Sequence, residues 1–542
     1  MAIEDHDTPR GRDNETQPLL AAEPSPSQTR PRRFREKPVV LVFLCLLLIF
    51  CIDVGSYMCL APQTRIYESI ACRNYYESHD PGWNQSVTEI PEEQCKIPPV
   101  QSEVAFVQAM QGSFGAIPSI LLSVPYGRLA DNPKYGRKVV ILLALVGLLL
   151  DQYTILTVTW FSRIFPLRAV WLGSAFTVIG AGASMGGAMV ITMISDVVDA
   201  KNRSTAFFQV ALSVVVAQLV APPISSWMMS KTDPWAPLLL GTLISSASVL
   251  LIFLIPETVH LRDTKDEEPS SETETPSDEA SEEPTPTYLS RYSKFKPRNL
   301  LHSLRTSIKP IVPNLTTALL LSTFLITNIG RKEVDLLLLY VSTRYHTSVS
   351  NAAFTLSVFA GVNIFLLLII LPALSRYLTV KRNLPSNLKD LAISRFSITV
   401  LTLGSVGMAL APTLATLTAG LVVYTLGSGF NAVNMSLVST LVEPRHIARL
   451  YSIVSMLSMV GSFVGGPLLA ALFGLGMKMG EGWVGLPFLG AALLYGVILA
   501  SVWFIRLPRG NRADDGNGDG YDESQRGDLE GMASSPLRYT DE

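Results

Sequence analysis

An all-α membrane protein of twelve transmembrane helices in two pseudo-symmetric six-helix bundles is the fold that three observations predict. Of 542 residues, 48% are hydrophobic and only 16% charged, a balance of multi-span membrane proteins rather than of soluble domains. Apolar runs long enough to cross the hydrocarbon layer, which takes about 20 residues, recur along the chain. Basic residues crowd alternate connections between those runs, as expected of cytoplasmic loops. The net charge of −2 hides this segregation.

Residues 1–37 are polar and rich in Pro, Ser and Arg, and are expected to stay disordered. Arg30, Arg32, Arg33, Arg35 and Lys37 hold this end in the cytoplasm. Upstream, Glu15-Thr16-Gln17-Pro18-Leu19-Leu20 resembles an acidic dileucine signal of the type that clathrin adaptors read. A working signal sends the protein to a vacuolar or endosomal membrane, and a silent one leaves it at the plasma membrane. The first apolar run follows a long polar leader without a small-residue cleavage site, so it is expected to remain as a span.

The N-terminal bundle is expected over 38–258. Span 1 covers Val39–Leu60, and the polar segment 61–100 reads as an outer loop. That loop carries Cys72 and Cys95 with Asn84-Gln85-Ser86, a glycosylation acceptor at Asn84, between them. In an oxidising compartment the two cysteines can close the loop as a disulfide; otherwise they are free thiols. Five cysteines are too few for a disulfide scaffold. Spans 2 to 6 are Val104–Tyr126, Val139–Trp160, Ala169–Ser195, Ala206–Met229 and Pro237–Leu254. The run Gly180 to Gly187 in span 4 has the wrong spacing for a dinucleotide loop and no strand before it, so its small residues read as close helix packing. Residues 259–309 form a cytoplasmic linker, acidic from Asp263 to Glu283 and basic from Arg291 to Lys309, which is expected to be disordered.

The C-terminal bundle is expected over 310–506. Its spans are Leu315–Tyr340, Ala352–Leu374, Leu391–Leu410, Leu414–Leu441, Leu450–Leu475 and Val484–Phe504, followed by a disordered cytoplasmic tail, 507–542. Arg376, Lys381, Arg382, Lys389, Arg445 and Arg449 fall inside by parity. Internal repetition agrees: an acid, a basic residue and a Pro after small residues recur as Asp199–Arg203–Pro222 and Glu443–Arg449–Pro467.

Between spans 2 and 3 stands Gly127-Arg128-Leu129-Ala130-Asp131-Asn132-Pro133-Lys134-Tyr135-Gly136-Arg137-Lys138. Gly-x-x-x-Asp, a spacer, then Gly-Arg-Lys resembles the loop between the second and third spans of the major facilitator superfamily. The resemblance implies a close helix approach at Gly127, and an Asp131 that meets a helix N-terminus and basic residues across the half-domain. Four residues separate Asp131 from Gly136, where the family commonly has two. Further on, Leu426-Gly427-Ser428-Gly429-Phe430 and the stretch from Gly465 to Phe488 resemble a fungal branch related to the folate and thymic stromal cotransporter group. The resemblance implies secondary transport of a small organic molecule, with the proton gradient as driving force and no cofactor. It also implies a monomer in the lipid bilayer, with no nucleic-acid partner.

No catalytic or metal-ligating constellation is present: the six histidines are scattered. Candidate site residues are polar groups inside spans, where an ionised group costs about 2.5–3.5 kcal/mol on insertion scales. Asp53, Asp151, Glu333 and Asp335 are candidates for proton coupling. Arg331 with Glu333 or Asp335 can equally form a purely structural charge cluster. Gln108, Gln111, Asn328, Arg331, Asn363, Asn431 and Asn434 are candidates for a substrate cavity; the last two share a helix face. Two marks of drug–proton antiporters are missing or weak: Phe176 stands where an Arg is common, and span 5 has only Ala217-x-x-x-Ala221-Pro222. Proton-driven export of a metabolite or xenobiotic is the favoured function. A proton-coupled importer of a nutrient or vitamin-like anion and a solute receptor that does not transport are the alternatives.

Overall fold

The computed structural model describes residues 38–79, 90–132, 134–198, 200–258, 315–378, 386–442 and 447–505. The two tails with Leu19 and Leu20, the 259–309 linker and Asn84 lie outside these. The regular elements among the described residues are all helices, with no strand among them. In the first half the helices are α1 (Pro38–His79), α2 (Pro98–Ala130), α3 (Gly136–Trp160), α4 (Leu167–Ala181 and Gly182–Val197), α5 (Ala200–Lys231) and α6 (Trp235–Ile252). In the second they are α7 (Leu315–Arg331 and Glu333–Arg344), α8 (Val349–Ala352 onward to Leu371–Arg376), α9 (Ser386–Leu410), α10 (Leu414–Leu426 and Phe430–Leu441), α11 (Ile447–Met479) and α12 (Leu486–Phe504). Eleven of these are long and apolar enough to span a membrane. The twelfth, α7, is cut at Lys332 into pieces of 17 and 12 residues.

Within the first half, α1 packs on α5 and α6, and α4 packs on α2 and α3. In the second, α9 packs on α10 and α12, and α7 on α11 and α12. The halves meet through α2 against α11 and α5 against α8. Under a six-helix duplication α2 is the counterpart of α8 and α5 of α11, so these two seams exchange with each other. That is the relation expected of two repeats packed about a twofold axis.

Three expected boundaries move. The segment expected as an outer loop from 61 begins as helix: α1 runs unbroken to His79. Its 42 residues measure about 63 Å at 1.5 Å per residue, twice the hydrocarbon thickness of about 30 Å. The polar residues that suggested a loop are satisfied by neighbours instead. Gln108 Nε2 donates to Thr64 Oγ1 (2.8 Å), and the Tyr67 hydroxyl donates to Gln111 Oε1 (2.9 Å). Between them Ile66, Tyr67, Ile70 and Ala71 are buried at helical spacing. At its far end α1 is tied by a Cys72–Cys95 disulfide to the short turn Glu92–Cys95.

The start of the 127–138 turn is also helical, since α2 continues to Ala130. Span 4, expected as one helix, breaks at Ile179–Gly182, where Gly180 (φ +82°), Ala181 (φ +58°) and Gly182 (φ +72°) take left-handed values. A Cβ on Gly180 would run into the backbone of Ala144 on α3, so the glycine permits that crossing. The carbonyls released by the break find donors on α2: Ser119 Oγ to Ala181 O (2.7 Å) and the Tyr126 hydroxyl to Val178 O (3.0 Å).

Candidate central cavity

Between the halves, at mid-depth, lies a cavity of about 400 Å³. Tyr57 of α1 and Gln218 of α5 form one wall; Asn328, Arg331 and Asp335 of α7, Asn363 of α8 and Asn431 of α10 form the other. Phe359, Tyr424 and Phe430 complete the lining with aromatic surface. The break in α7 at Lys332 turns a dense charged run along the cavity wall instead of towards lipid. Lys332 Nζ pairs with Asp335 Oδ2 at 2.7 Å, and both are partly exposed to the cavity. Arg331 is exposed there and makes no hydrogen bond or ion pair among the described residues. Ser428 Oγ donates to Asn363 Oδ1, and Thr327 Oγ1 to Asn431 Oδ1, each at 3.0 Å. Both amides therefore present their Nδ2 groups to the open space.

The other candidates sit elsewhere. Gln108 and Gln111 are taken up by the α1–α2 contacts described above. Asn434 is fully buried, donating to Thr323 Oγ1 of α7 at 2.7 Å, so it does not share the cavity with Asn431. Three residues on a helix are turned about 60° apart, which separates a cavity position from a packing position. Asp151 of α3 lies against Gly173 of α4 inside the first bundle, with Oδ1 buried and without a hydrogen-bond partner. Asp53 is half-buried one turn from Tyr57 and makes no hydrogen bond or ion pair among the described residues.

Glu333 lies one layer behind the lining. It is fully buried and accepts a hydrogen bond from Ser405 Oγ of α9 at 2.8 Å. Its Oε2 receives no hydrogen bond of good geometry. The hydroxyls of Tyr424 and Tyr495, 3.3 Å apart, lie close enough to interact with the carboxyl. Tyr424 reaches the cavity as well, so one side chain joins it to the buried acid.

Towards the disulfide end, the halves are closed by a polar seam that the sequence does not announce. Lys96, next to Cys95, has a side chain 2% exposed. It reaches Glu68 Oε1 (2.7 Å), Glu92 Oε1 (3.0 Å) and, across the seam, Ser342 Oγ of α7 (2.5 Å). Gln101 Nε2 donates to Glu68 Oε1 while its carbonyl accepts from Thr343 Oγ1 of α7 (3.0 Å), and Val349 N donates to Glu92 Oε1 (2.7 Å). On the other seam Ser226 and Ser350 bond reciprocally through hydroxyls and carbonyls, at 2.6 and 2.8 Å. Ser226, Ser342 and Ser350 all lie on the disulfide side of the cavity residues of their helices.

Among the described residues, twelve helices thus form two exchanged halves around a polar cavity. A family model described as Major Facilitator Superfamily matches residues 97–388. The chain is 33% identical over 500 residues to the MFS efflux pump atnC of Emericella nidulans, covering 92% of this chain and 94% of that one. The chain belongs to the major facilitator superfamily. The efflux pump ustT of Aspergillus flavus is 31% identical, with 86% of this chain and 88% of the relative aligned. Among solved structures, the nucleoside transporter NupG superposes with a TM-score of 0.56 at 14% identity, covering 86% of this chain and 99% of NupG. A D-xylose–proton symporter gives 0.55 at 12% identity, over 87% and 98% of the two chains. These two likenesses establish the shared fold. As a facilitator, the protein is a secondary transporter and not an enzyme.

At the facilitator turn the close approach falls on the second glycine of the motif rather than the first. A Cβ on Gly127 would meet nothing within 4 Å, so no close helix approach depends on it in this conformation. The tight glycine is Gly136, at φ +75° and covered by the Glu257 carboxylate. Glu257 accepts from Arg137 N (3.1 Å) and Lys138 N (3.0 Å), capping the positive end of α3. Asp131 stands at the C-terminal cap of α2. Buried Arg137 is paired with Asp196 of α4, whose Oδ2 also accepts from Thr258 Oγ1 (3.2 Å). The Pro256-Glu257-Thr258 stretch thus locks the first bundle at this turn. Gly136→Ala is expected to destabilise it by about 1–3 kcal/mol, the cost of a left-handed non-glycine residue, and to disturb the cap. The apparent melting temperature of the purified protein should fall by several degrees, while Gly127→Ala leaves it unchanged.

Proposed function

We propose that this facilitator exports a small organic molecule from the cytoplasm, using alternating access driven by the proton gradient. The observation that carries the reading is the central cavity, polar on both walls and closed on its disulfide side by the seam. Arg128, Lys134, Arg137 and Lys138 on the opposite end support placing that end in the cytoplasm. The disulfide supports an oxidising compartment at the other end. Export is supported by two curated relatives named as efflux pumps, both fungal, in keeping with placement in the fungal branch that the 426–430 and 465–488 stretches resemble. One chain supplies the whole cavity, which supports a monomeric unit. Glu333 is our choice for the proton site. Burial beside hydroxyls, without a cation, makes its charge expensive in this conformation, and Tyr424 links it to the cavity. Adaptor recognition through Leu19 and Leu20 would then decide between a vacuolar or endosomal membrane and the plasma membrane.

The test compares small molecules inside and outside cells with and without the gene. A compound retained in the deletion strain is the expected result. A compound left unconsumed outside would reverse the direction, and no difference under several growth conditions would favour a receptor.

A further inference from the structure

We infer that the exported molecule carries a carboxylate, and that Arg331 is the residue that holds it. The inference rests on the transport reading above and names the class of its cargo. Three charged residues line the cavity: Arg331, Lys332 and Asp335. Lys332 and Asp335 neutralise each other at 2.7 Å, which leaves one cation over. Among the described residues Arg331 makes no hydrogen bond or ion pair. An anion that enters the cavity therefore meets an exposed guanidinium whose donors are free, and such charge-assisted pairs are stronger than neutral hydrogen bonds.

Two of the three lining asparagines point the same way; the third, Asn328, donates its Nδ2 to Phe324 O (2.7 Å) and leaves its Oδ1 to the cavity. Asn363 and Asn431 each engage their carbonyl oxygen with a neighbouring hydroxyl, so what they offer the cavity is N–H. Gln218 on the opposite wall makes no hydrogen bond among the described residues and can turn either end inward. One free guanidinium and two outward amide donors, against the single Asn328 acceptor, favour a ligand rich in acceptor oxygen. The guanidinium fork fits a carboxylate with two parallel hydrogen bonds, which an ammonium cannot copy. Tyr57 and Phe359 supply aromatic surface for the rest of the molecule. A cavity of about 400 Å³ falls at the lower end of the roughly 300–1,000 Å³ usual for small-molecule sites.

The experiment uses the full-length protein in cells lacking the gene, restored with wild type, Arg331→Lys or Arg331→Gln at matched membrane levels. Solutes retained by the deletion strain and released by wild type define the cargo. The expected result is that they are carboxylic acids, that Arg331→Gln releases them at least about tenfold more slowly, and that Arg331→Lys recovers part of the rate. Should Arg331→Gln fail to reach the membrane, the retained acid and its methyl ester are compared for binding to purified wild-type protein, where the ester should bind at least about tenfold more weakly. Cargo without a carboxylate, undiminished release by Arg331→Gln, or equal binding of acid and ester overturns the inference while leaving the transport reading intact. If no solute differs between deletion and wild type, the transport reading fails, and the inference fails with it.

Discussion

Glu333→Gln is expected to uncouple transport from the proton gradient without emptying the cavity. For one proton exchanged per cargo molecule, a pH difference of about one unit supplies about 1.4 kcal/mol, enough for a roughly tenfold concentration ratio. In vesicles with that gradient, wild type should build such a ratio and the variant should stop at equal concentrations. Exchange of labelled for unlabelled cargo, which needs no net proton movement, should continue. The substitution keeps the shape and can keep the Ser405 hydrogen bond, so the bundle loses a titratable group and little else. Asp335→Asn is expected to act differently. Asp335 is ion-paired in the cavity wall, so losing it frees Lys332 and changes cargo affinity more than coupling. If Glu333→Gln still concentrates cargo like wild type, the buried acid is structural.

Lys96→Met carries the largest expected effect on stability. It leaves Glu68, which is fully buried, without the ammonium at 2.7 Å. Breaking a buried pair from one side costs about 3–5 kcal/mol. Arg65, at 3.0 Å from the other Glu68 oxygen, should hold the loss towards the lower figure. Adding Glu68→Gln to Lys96→Met should recover a large part of it, because the uncompensated charge is then gone. Heat-induced unfolding of the single and double variants in detergent measures both. If the single variant melts like wild type, the charges at this seam are solvated and contribute little.

The spans were legible because a run of about 20 apolar residues has few other uses. What the runs hid was polarity satisfied inside the protein. Gln63, Thr64, Arg65 and Glu68 read as loop because nothing in the sequence reveals Gln108, Gln111 and Lys96 beside them. The cavity was half legible for a related reason. A polar residue within a span announces its cost but not its direction, so Asn363 and Asn431 looked the same as Asn434, Gln108 and Asp151. The density of charge on span 7 did show that it avoids lipid. It could not show that a break at Lys332 sends Asp335 to the cavity and Glu333 into the bundle. Tyr57, Gln218 and Tyr424 gave no signal as lining residues, since tyrosine and glutamine are ordinary at helix contacts. Glu257 stood in a visible Pro-Glu-Thr ending, yet its role at α3 depends on a contact 120 residues back along the chain.

The central claim is that one cavity is exposed alternately at the two ends, with the disulfide-end seam closed in the conformation described. Ser226 and Ser350 face each other across that seam with hydroxyl oxygens 3.0 Å apart. Replacing both by cysteine and oxidising the pair in transport-competent vesicles therefore holds the seam shut. The unsubstituted protein under the same treatment controls for Cys45, Cys51, Cys59 and the native disulfide. The account predicts that cargo still binds from the turn end, that net transport stops, and that reduction restores it. Transport at the wild-type rate with the seam cross-linked would contradict the account.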